Sequence, residues 1–377
     1  MKIGFLLYDY FPFGGLERDC LRIGELCAAH GHQVSLWTRS WQGDRPQNIN
    51  VRVFGRHGLT NTGRNHHWLK ELAAALPGER FDCIAGFNKL PGIDIYYTAD
   101  VCFAAKLSRK PFWSRWLPRA RQILALERLV FGHDAKTEIL LLAQRDIATY
   151  QHFYGTAAER FHVLPPNARR RDISHEQRAD TRRRIRETNG WAPNENLLLF
   201  VGSDFQRKGL DRAIHALAAL DESRRNQTRL AVLGQDKPGT FAQLAKDLGV
   251  EDRVHFLGGR TDVPDWMLAA DVMLHPARRE NTGTVIVEAL ASALPVLVTE
   301  ICGYAHHVKS GDAGVVLSEP FSQEDFNRAL QTALDQSQLA KWRSNAAAYA
   351  ATGAIFGCHE RAAALIEAVA RRSVKVT

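Results

Sequence analysis

Short apolar runs bounded by turn-forming residues recur along the chain. Ile3 to Tyr8, Gln33 to Thr38, Phe81 to Phe87, Ile93 to Asp100, Glu138 to Leu142 and Arg160 to Leu164 are runs of this kind. They are too short for helices and mostly too unbroken for half-exposed strands, so they predict parallel strands buried on both faces. Between the first two, Leu16, Cys20, Leu21, Ile23, Leu26 and Cys27 share roughly one face of a helix over Leu16 to His30, which ends at Gly31. The result is a βαβ unit. Its entry loop, Phe11-Pro12-Phe13-Gly14-Gly15, lacks the GxGxxG spacing of dinucleotide folds. Gly14 and Gly15 therefore stand either as a tight turn or as a loop that lets a ligand come close.

The pattern restarts after a stiff break at Pro165-Pro166-Asn167. Asn196 to Gly202 predicts a strand, Ser203 to Gly209 a loop, and Leu210 to Leu220 a helix with Ile214, Leu217 and Leu220 facing inward. Arg229 to Gly234, Val254 to Gly258, Asp271 to Leu274 and Val296 to Thr299 predict further strands. Two Rossmann-like domains follow, residues 1–165 and 166–354, with a C-terminal helix at about 355–377 crossing back onto the first. Ligands of such folds bind at strand C-termini, so the two domains are expected to face each other across a deep cleft.

The chemistry concentrates between His275 and Glu288. Glu280 falls in the loop after a strand, and Glu288 lies on the first turns of a helix that runs from Thr284 until Pro295 stops it. Asn281, Thr282 and Gly283 can cap that helix and leave its N–H groups and positive dipole end for a phosphate or an oxygen-rich ligand. Two carboxylates beside such an end can accept hydrogen bonds from sugar hydroxyls. An acidic cap plus a solvated glutamate would give the same spacing. Arg207-Lys208-Gly209 lies at a strand-to-helix junction, where adjacent cations and helix amides would hold a diphosphate. Asp100 stands at a strand end, as a ligand contact or as a helix cap.

Composition narrows the class. Of 377 residues, 45% are hydrophobic and 24% charged, values of a globular protein, and the net charge of +8 favours an anionic partner. Six scattered cysteines without metal-ligand spacing predict a reduced, cytosolic chain. The N-terminal apolar run is too short for a signal peptide, and nothing elsewhere is long enough to span a bilayer. One segment is distinctive: Lys106, Arg109, Lys110, Arg115, Arg119, Arg121 and Arg128 interleave with Phe112, Trp113, Trp116 and Leu117, with no acid before Glu127. Cations beside exposed tryptophans suit an anionic membrane surface. Single-stranded nucleic acid uses the same residues, and a basic loop with its tryptophans packed inward would read alike. Arg169 to Arg186 is a second basic stretch, expected to be mainly a solvated loop and helix face, with phosphate contact as the alternative.

Taken together, the Gly14-Gly15 loop, Arg207-Lys208-Gly209, the Gly259-Arg260-Thr261-Asp262-Val263 turn and the Glu280/Glu288 pair resemble the retaining GT-B glycosyltransferases of family 4, the group that includes sucrose synthase-like enzymes. The lipopolysaccharide-core branch is the most similar, through Tyr10 to Leu16, Gly86-Phe87-Asn88-Lys89, Ala99-Asp100-Val101-Cys102, Leu164-Pro165-Pro166, Val201 to Phe205 and Cys302 to His306. The resemblance implies a GT-B fold and transfer of a hexose, expected to be glucose, from a UDP-hexose donor to a heptose of the lipopolysaccharide inner core. Arg207 and Lys208 would neutralise the leaving diphosphate without a metal or other cofactor. Glu280 would meet the donor sugar, and Glu288 the ribose. Gly14, Gly15, Asn281, Thr282, Gly283 and Thr284 would contribute to donor binding, and the turn at Arg260 would hold the base. Asp100, a catalytic candidate, stands where many relatives carry a histidine that holds a donor-sugar hydroxyl, and Asp19, Asn88 and Lys89 are acceptor-side candidates. The expected location is the inner face of the cytoplasmic membrane, held peripherally through Arg109, Lys110, Phe112, Trp113, Arg115 and Trp116, with no nucleic-acid partner. A sugar-nucleotide epimerase of the same fold and a basic nucleic-acid-binding protein are the competing readings.

Overall fold

The computed structural model describes residues 1–374 apart from Phe13, Ala99, Arg171 and Asp172. The chain forms two units, Met1–Pro165 with the segment from Gly357, and Pro166–Phe356.

The strands of the first unit are β1 (Lys2–Leu6), β2 (Asp9–Tyr10), β3 (Gln33–Thr38), β4 (Ser40–Trp41), β5 (Asn50–Val53), β6 (Cys83–Gly86), β7 (Ile95–Thr98), β8 (Glu138–Leu141) and β9 (Phe161–Val163). Its helices are α1 (Gly15–Ala29), α2 (Asn61–Ala75), α3 (Phe103–Ser108), α4 (Pro118–Phe131) and α5 (Asp146–Tyr154). Seven strands form one parallel sheet in the order β5-β3-β1-β6-β7-β8-β9. Alternate residues explain the unbroken apolar runs: Ile3 and Phe5 pack on one face with Cys20, Ile23 and Cys27, while Leu6 packs on the other with Trp68 and Tyr96. Burying each such aliphatic side chain contributes about 1.5–3 kcal/mol.

The second unit holds α6 (His175–Thr188), β10 (Asn196–Val201), α7 (Phe205–Lys208), α8 (Leu210–Ala218), α9 (Glu222–Asn226), β11 (Thr228–Leu233), α10 (Gly239–Asp247), β12 (Val254–Phe256) and α11 (Val263–Ala269). It continues with β13 (Val272–His275), α12 (Thr284–Ala291), β14 (Val296–Thr299), α13 (Ala305–Ser310), β15 (Gly314–Leu317), α14 (Gln323–Ala333) and α15 (Gln336–Ala351). The sheet is again parallel, in the order β12-β11-β10-β13-β14-β15. Leu197 and Leu199 face one helical layer and Leu198 and Phe200 the other.

The final helix, α16 (Cys358–Val374), belongs to the first unit. Small residues Ala362, Ala363 and Ala370 are buried with Cys20 and Cys27, which lets α16 lie close to α1. Polar ties reinforce the contact: His359 Nε2 meets Asp19 Oδ1 at 2.7 Å, and His30 Nδ1 meets Glu367 Oε1 at 2.7 Å.

Some sequence expectations are corrected. The run Ile3 to Tyr8 breaks after Leu6, because Asp9 is drawn aside by Ser40 Oγ at 2.8 Å and Arg56 Nε at 2.9 Å, and Tyr10 stacks on Trp41 at 3.8 Å. Asp9–Tyr10 then pairs with Ser40–Trp41 in a separate two-stranded ribbon. The edge strands β5 and β15 escaped the pattern. β5 is largely exposed, and β15 is mostly half-buried, so neither leaves a continuous apolar run. The expected loop before Leu210 contains the short helix α7, ended by Gly209.

Candidate functional site

In an open parallel sheet ligands collect beyond the strand ends where the order reverses. In the second unit that point lies between β10 and β13, whose following loops carry Arg207-Lys208 and Glu280. After β10, Asp204 adopts φ 61° and caps α7, accepting from Arg207 N at 3.3 Å and from Arg207 Nε at 2.8 Å. Gly209 terminates α7 at φ 78°, and a Cβ there would lie 2.1 Å from the Pro276 carbonyl oxygen. Glycine thus permits the close approach of the two loops. Arg278 fastens them: its N–H donates to Arg207 O at 2.8 Å, and its guanidinium makes a bidentate pair with Asp211 at 2.7 and 2.6 Å.

Lys208 Nζ donates to Glu280 Oε2, and Arg207 Nη1 reaches the same oxygen at 3.3 Å. His275 Nε2 lies 3.7 Å from it. Burial raises the Glu280 pKa, but His275 and Lys208 outweigh that and hold it down at about 2. Two cations sharing one carboxylate at a sheet edge can exchange it for a phosphate. Arg278, Asp211, Asp204 and His275 were not singled out from sequence. They act across separate segments, and only the Arg278-Arg279 dipeptide beside Glu280 hinted at the cluster.

Helix α12 begins at Thr284, and of the three capping candidates Gly283 is its N-cap, at φ 80° and with no side-chain cap. Asn281 O accepts from Gly303 N at 3.0 Å and Thr282 O from Tyr304 N at 2.8 Å. Glu288 sits one turn into α12 and is half-buried. Arg260 follows β12 and makes a bidentate pair with Asp262 at 2.6 and 2.8 Å.

The remaining predicted site residues lie in the first unit. Gly14 is the N-cap of α1 and Gly15 its first residue. Here too the strand order reverses, between β1 and β6, and a cavity of about 350 Å³ opens there. Tyr8, Asp9, Arg39, Asn65, Asn88, Lys89, Asp100 and Arg119 are among its lining residues. Asp100 does not cap α3, whose N-cap is Cys102. Asn88 Oδ1 accepts from Tyr8 N at 2.6 Å, and Lys89 Nζ donates to fully buried Glu127 at 2.7 Å. Glu127 also receives Phe103 N at 2.9 Å, Ala104 N at 3.0 Å and Tyr154 Oη at 2.7 Å. Asp19 is placed elsewhere, bonded to His359 and, at 2.8 Å, to Tyr97 Oη. Its carboxylate ties α1 to α16 and is not among the cavity's lining residues.

The basic aromatic segment forms α3, a 3-10 turn at Phe112–Trp116 and α4. Phe112 is 74% exposed, Trp113 55%, Trp116 73% and Leu117 50%, so the tryptophans are not packed inward. All seven cations of the segment are exposed as well. None of the described helices is long and apolar enough to cross a membrane.

Two Rossmann-like units, one carrying paired cations against a carboxylate at its switch point, suit an anionic, oxygen-rich ligand. Residues 181–350 match the family described as Glycosyl transferases group 1, and the chain belongs to that family of enzymes. It is a homologue of Lipopolysaccharide glucosyltransferase WaaG of Escherichia coli (strain K12), 45% identical over 368 residues, which are 97% of this chain and 98% of the relative. The crystal structure of WaaG, a glycosyltransferase involved in lipopolysaccharide biosynthesis, superimposes with a TM-score of 0.81 over 97% of this chain and 99% of that one, at 45% identity. Anabaena Alr3699/HepE, solved with UDP, shares the fold at TM-score 0.71 and 21% identity, covering 100% and 99% of the two chains. The fold class is GT-B, built from two Rossmann-like domains.

Proposed function

We propose that this glycosyltransferase is a metal-independent, retaining enzyme that moves glucose from UDP-glucose to a heptose of the lipopolysaccharide inner core. The observation that carries the reading is the meeting of Arg207, Lys208 and Glu280 at the β10/β13 switch point. Arg207 and Lys208 leave Glu280 for the diphosphate and take the charge-neutralising role that a divalent ion plays elsewhere. Glu280, kept ionised by its surroundings, accepts from donor-sugar hydroxyls, and Glu288 from the ribose. The amides of Thr282 to Thr284 serve sugar and phosphate, and the Arg260 turn flanks the base. Front-face return is favoured. The bond from C1 to the leaving phosphate oxygen breaks, the acceptor oxygen bonds C1 on the same face, and the acceptor proton passes to that phosphate oxygen.

The acceptor is assigned to the first-unit cavity, whose carboxylates, amides and guanidinium groups suit a polyol. Asp100, Asn88 and Lys89 line it, and Glu127 fixes Lys89. The outer wall is α4, which continues from the exposed Trp113/Trp116 turn. A lipid-linked sugar can therefore enter the cavity while its anchor stays in an anionic inner leaflet of the cytoplasmic membrane. WaaG's description as a lipopolysaccharide glucosyltransferase supports glucose and this acceptor class.

The test is transfer from UDP-glucose, UDP-galactose and UDP-N-acetylglucosamine to purified lipopolysaccharide truncated at heptose, with the anomeric linkage read by NMR and EDTA present throughout. Alpha-linked glucose formed in EDTA is the expected product. An inverted linkage, dependence on a divalent ion, or preference for another donor would each remove the corresponding part of the proposal.

A further inference from the structure

His275 is the last residue of β13, and its ring is fully buried. Neither ring nitrogen has a hydrogen-bond partner. Buried polar groups are rarely left so, because the N–H has lost water and gained nothing in exchange. One acidic oxygen stands near, Glu280 Oε2, at 3.7 Å from Nε2, which is an ion-pair distance but too long for a hydrogen bond. That oxygen is occupied by Lys208 Nζ and Arg207 Nη1. The charged groups acting on the imidazole are thus Lys208 and Arg207, from α7, and Glu280, from the loop after β13.

Accepting the diphosphate role of Arg207 and Lys208, on which this inference rests, we infer that His275 is the positioning residue that receives Glu280 when the diphosphate draws both cations away. Glu280 then keeps the Asn281 amide on Oε1 at 3.2 Å, but its Oε2 has lost both cations beside an anionic ligand, and repulsion would swing that oxygen off the donor sugar. A movement of about 1 Å brings Oε2 within hydrogen-bond distance of Nε2. The histidine then offers an N–H and no charge. Burial, the largest influence on the ring, disfavours its charged form, and Glu280 pulls the other way. The resting arrangement leaves the imidazole unsatisfied, and the donor-bound arrangement satisfies it.

Melting temperatures and steady-state kinetics of wild type, His275→Phe and His275→Gln with UDP-glucose, together with imidazole nitrogen chemical shifts of wild type, test this. Because the ring makes no hydrogen bond in the ligand-free protein, His275→Phe should leave the ligand-free melting temperature unchanged or raised. It should lower kcat at least about tenfold, the scale of a misplaced catalytic group, while UDP affinity stays within about twofold. His275→Gln, which keeps an N–H donor, should recover most of kcat. In wild type the Nε2 signal should move to a hydrogen-bonded position on adding UDP-glucose. Wild-type kcat in His275→Phe, or a nitrogen spectrum unchanged by the donor, overturns the inference. If His275→Phe does not fold, the wild-type nitrogen spectrum decides. The underlying reading fails separately: Lys208→Ala binding UDP as tightly as wild type would remove the diphosphate role itself.

Discussion

Lys208 and Glu280, 72 residues apart in sequence, form an ion pair beyond the ends of two adjacent strands, with Arg207 on the same carboxylate oxygen. The pair is a resting arrangement that a diphosphate would dissolve. Lys208→Ala is expected to lower kcat/KM by at least about 100-fold, the scale of one lost transition-state charge contact. Near-normal turnover would remove the lysine from the reaction.

Glu280→Gln separates the two partners. It frees both cations for phosphate, so UDP should bind as tightly as before or more tightly, while transfer falls by at least about tenfold because the sugar loses its charged acceptor. Calorimetric titration with UDP beside transfer assays checks this. Equal losses of UDP affinity and rate would contradict the placement of Glu280 at the sugar.

The exposed turn at Phe112–Trp116 is expected to bind vesicles containing anionic lipid. Each nearby Lys or Arg contributes about 1 kcal/mol, screened by salt, and the aromatic side chains add a part that salt leaves intact. In flotation assays, charge reversal at Arg109, Lys110 and Arg115 should abolish binding, and Trp113→Ala with Trp116→Ala should leave only salt-sensitive binding. Wild type that ignores anionic vesicles at low salt would refute the membrane reading.

Asp271, only 3% exposed, holds three arginines of the second unit: Arg182 at 2.7 Å, Arg186 at 3.1 Å and Arg343 at 3.0 Å. Arg186 is itself buried, which corrects the expectation of a solvated helix face at that residue, because Asp271 draws its guanidinium inward. Asp271→Ala strands that cation and is expected to destabilise the unit by about 3–5 kcal/mol. Urea unfolding would show it as a lowered midpoint. A shift of less than about 1 kcal/mol would mean that solvent reaches the arginines.

His307 is 7% exposed and donates or accepts at Tyr349 Oη over 2.8 Å. Burial, and secondarily His306, lowers its pKa from 6.5 to about 4. The unfolded chain therefore takes up a proton that the folded protein refuses between these values. Stability contributed by the neutral ring is present above pH 6.5 and is lost as pH falls toward 4, by about 3 kcal/mol. His307→Gln should flatten that part of the melting temperature profile. An unchanged slope would assign the acid sensitivity to other groups.

The parallel sheets were legible in the sequence because a strand covered on both faces must be apolar at every position, as Leu197 to Phe200 are. The βαβ order, the break at Pro165-Pro166 and the candidate acids were local signals of the same kind. Exposed edge strands such as β5 left no such signature, since solvent tolerates polar side chains there. Partnership was decided by tertiary structure alone. Asp19, an acceptor-side candidate from sequence, is bonded to His359 of α16, which follows it by more than three hundred residues. No local pattern announces the buried Glu127 beneath Lys89, or the approach of His275, at the end of β13, to Glu280. The physical reason is range: periodicity and turn chemistry act over a few residues, whereas a buried charge or imidazole is defined by whichever distant segment the sheet order brings within 4 Å.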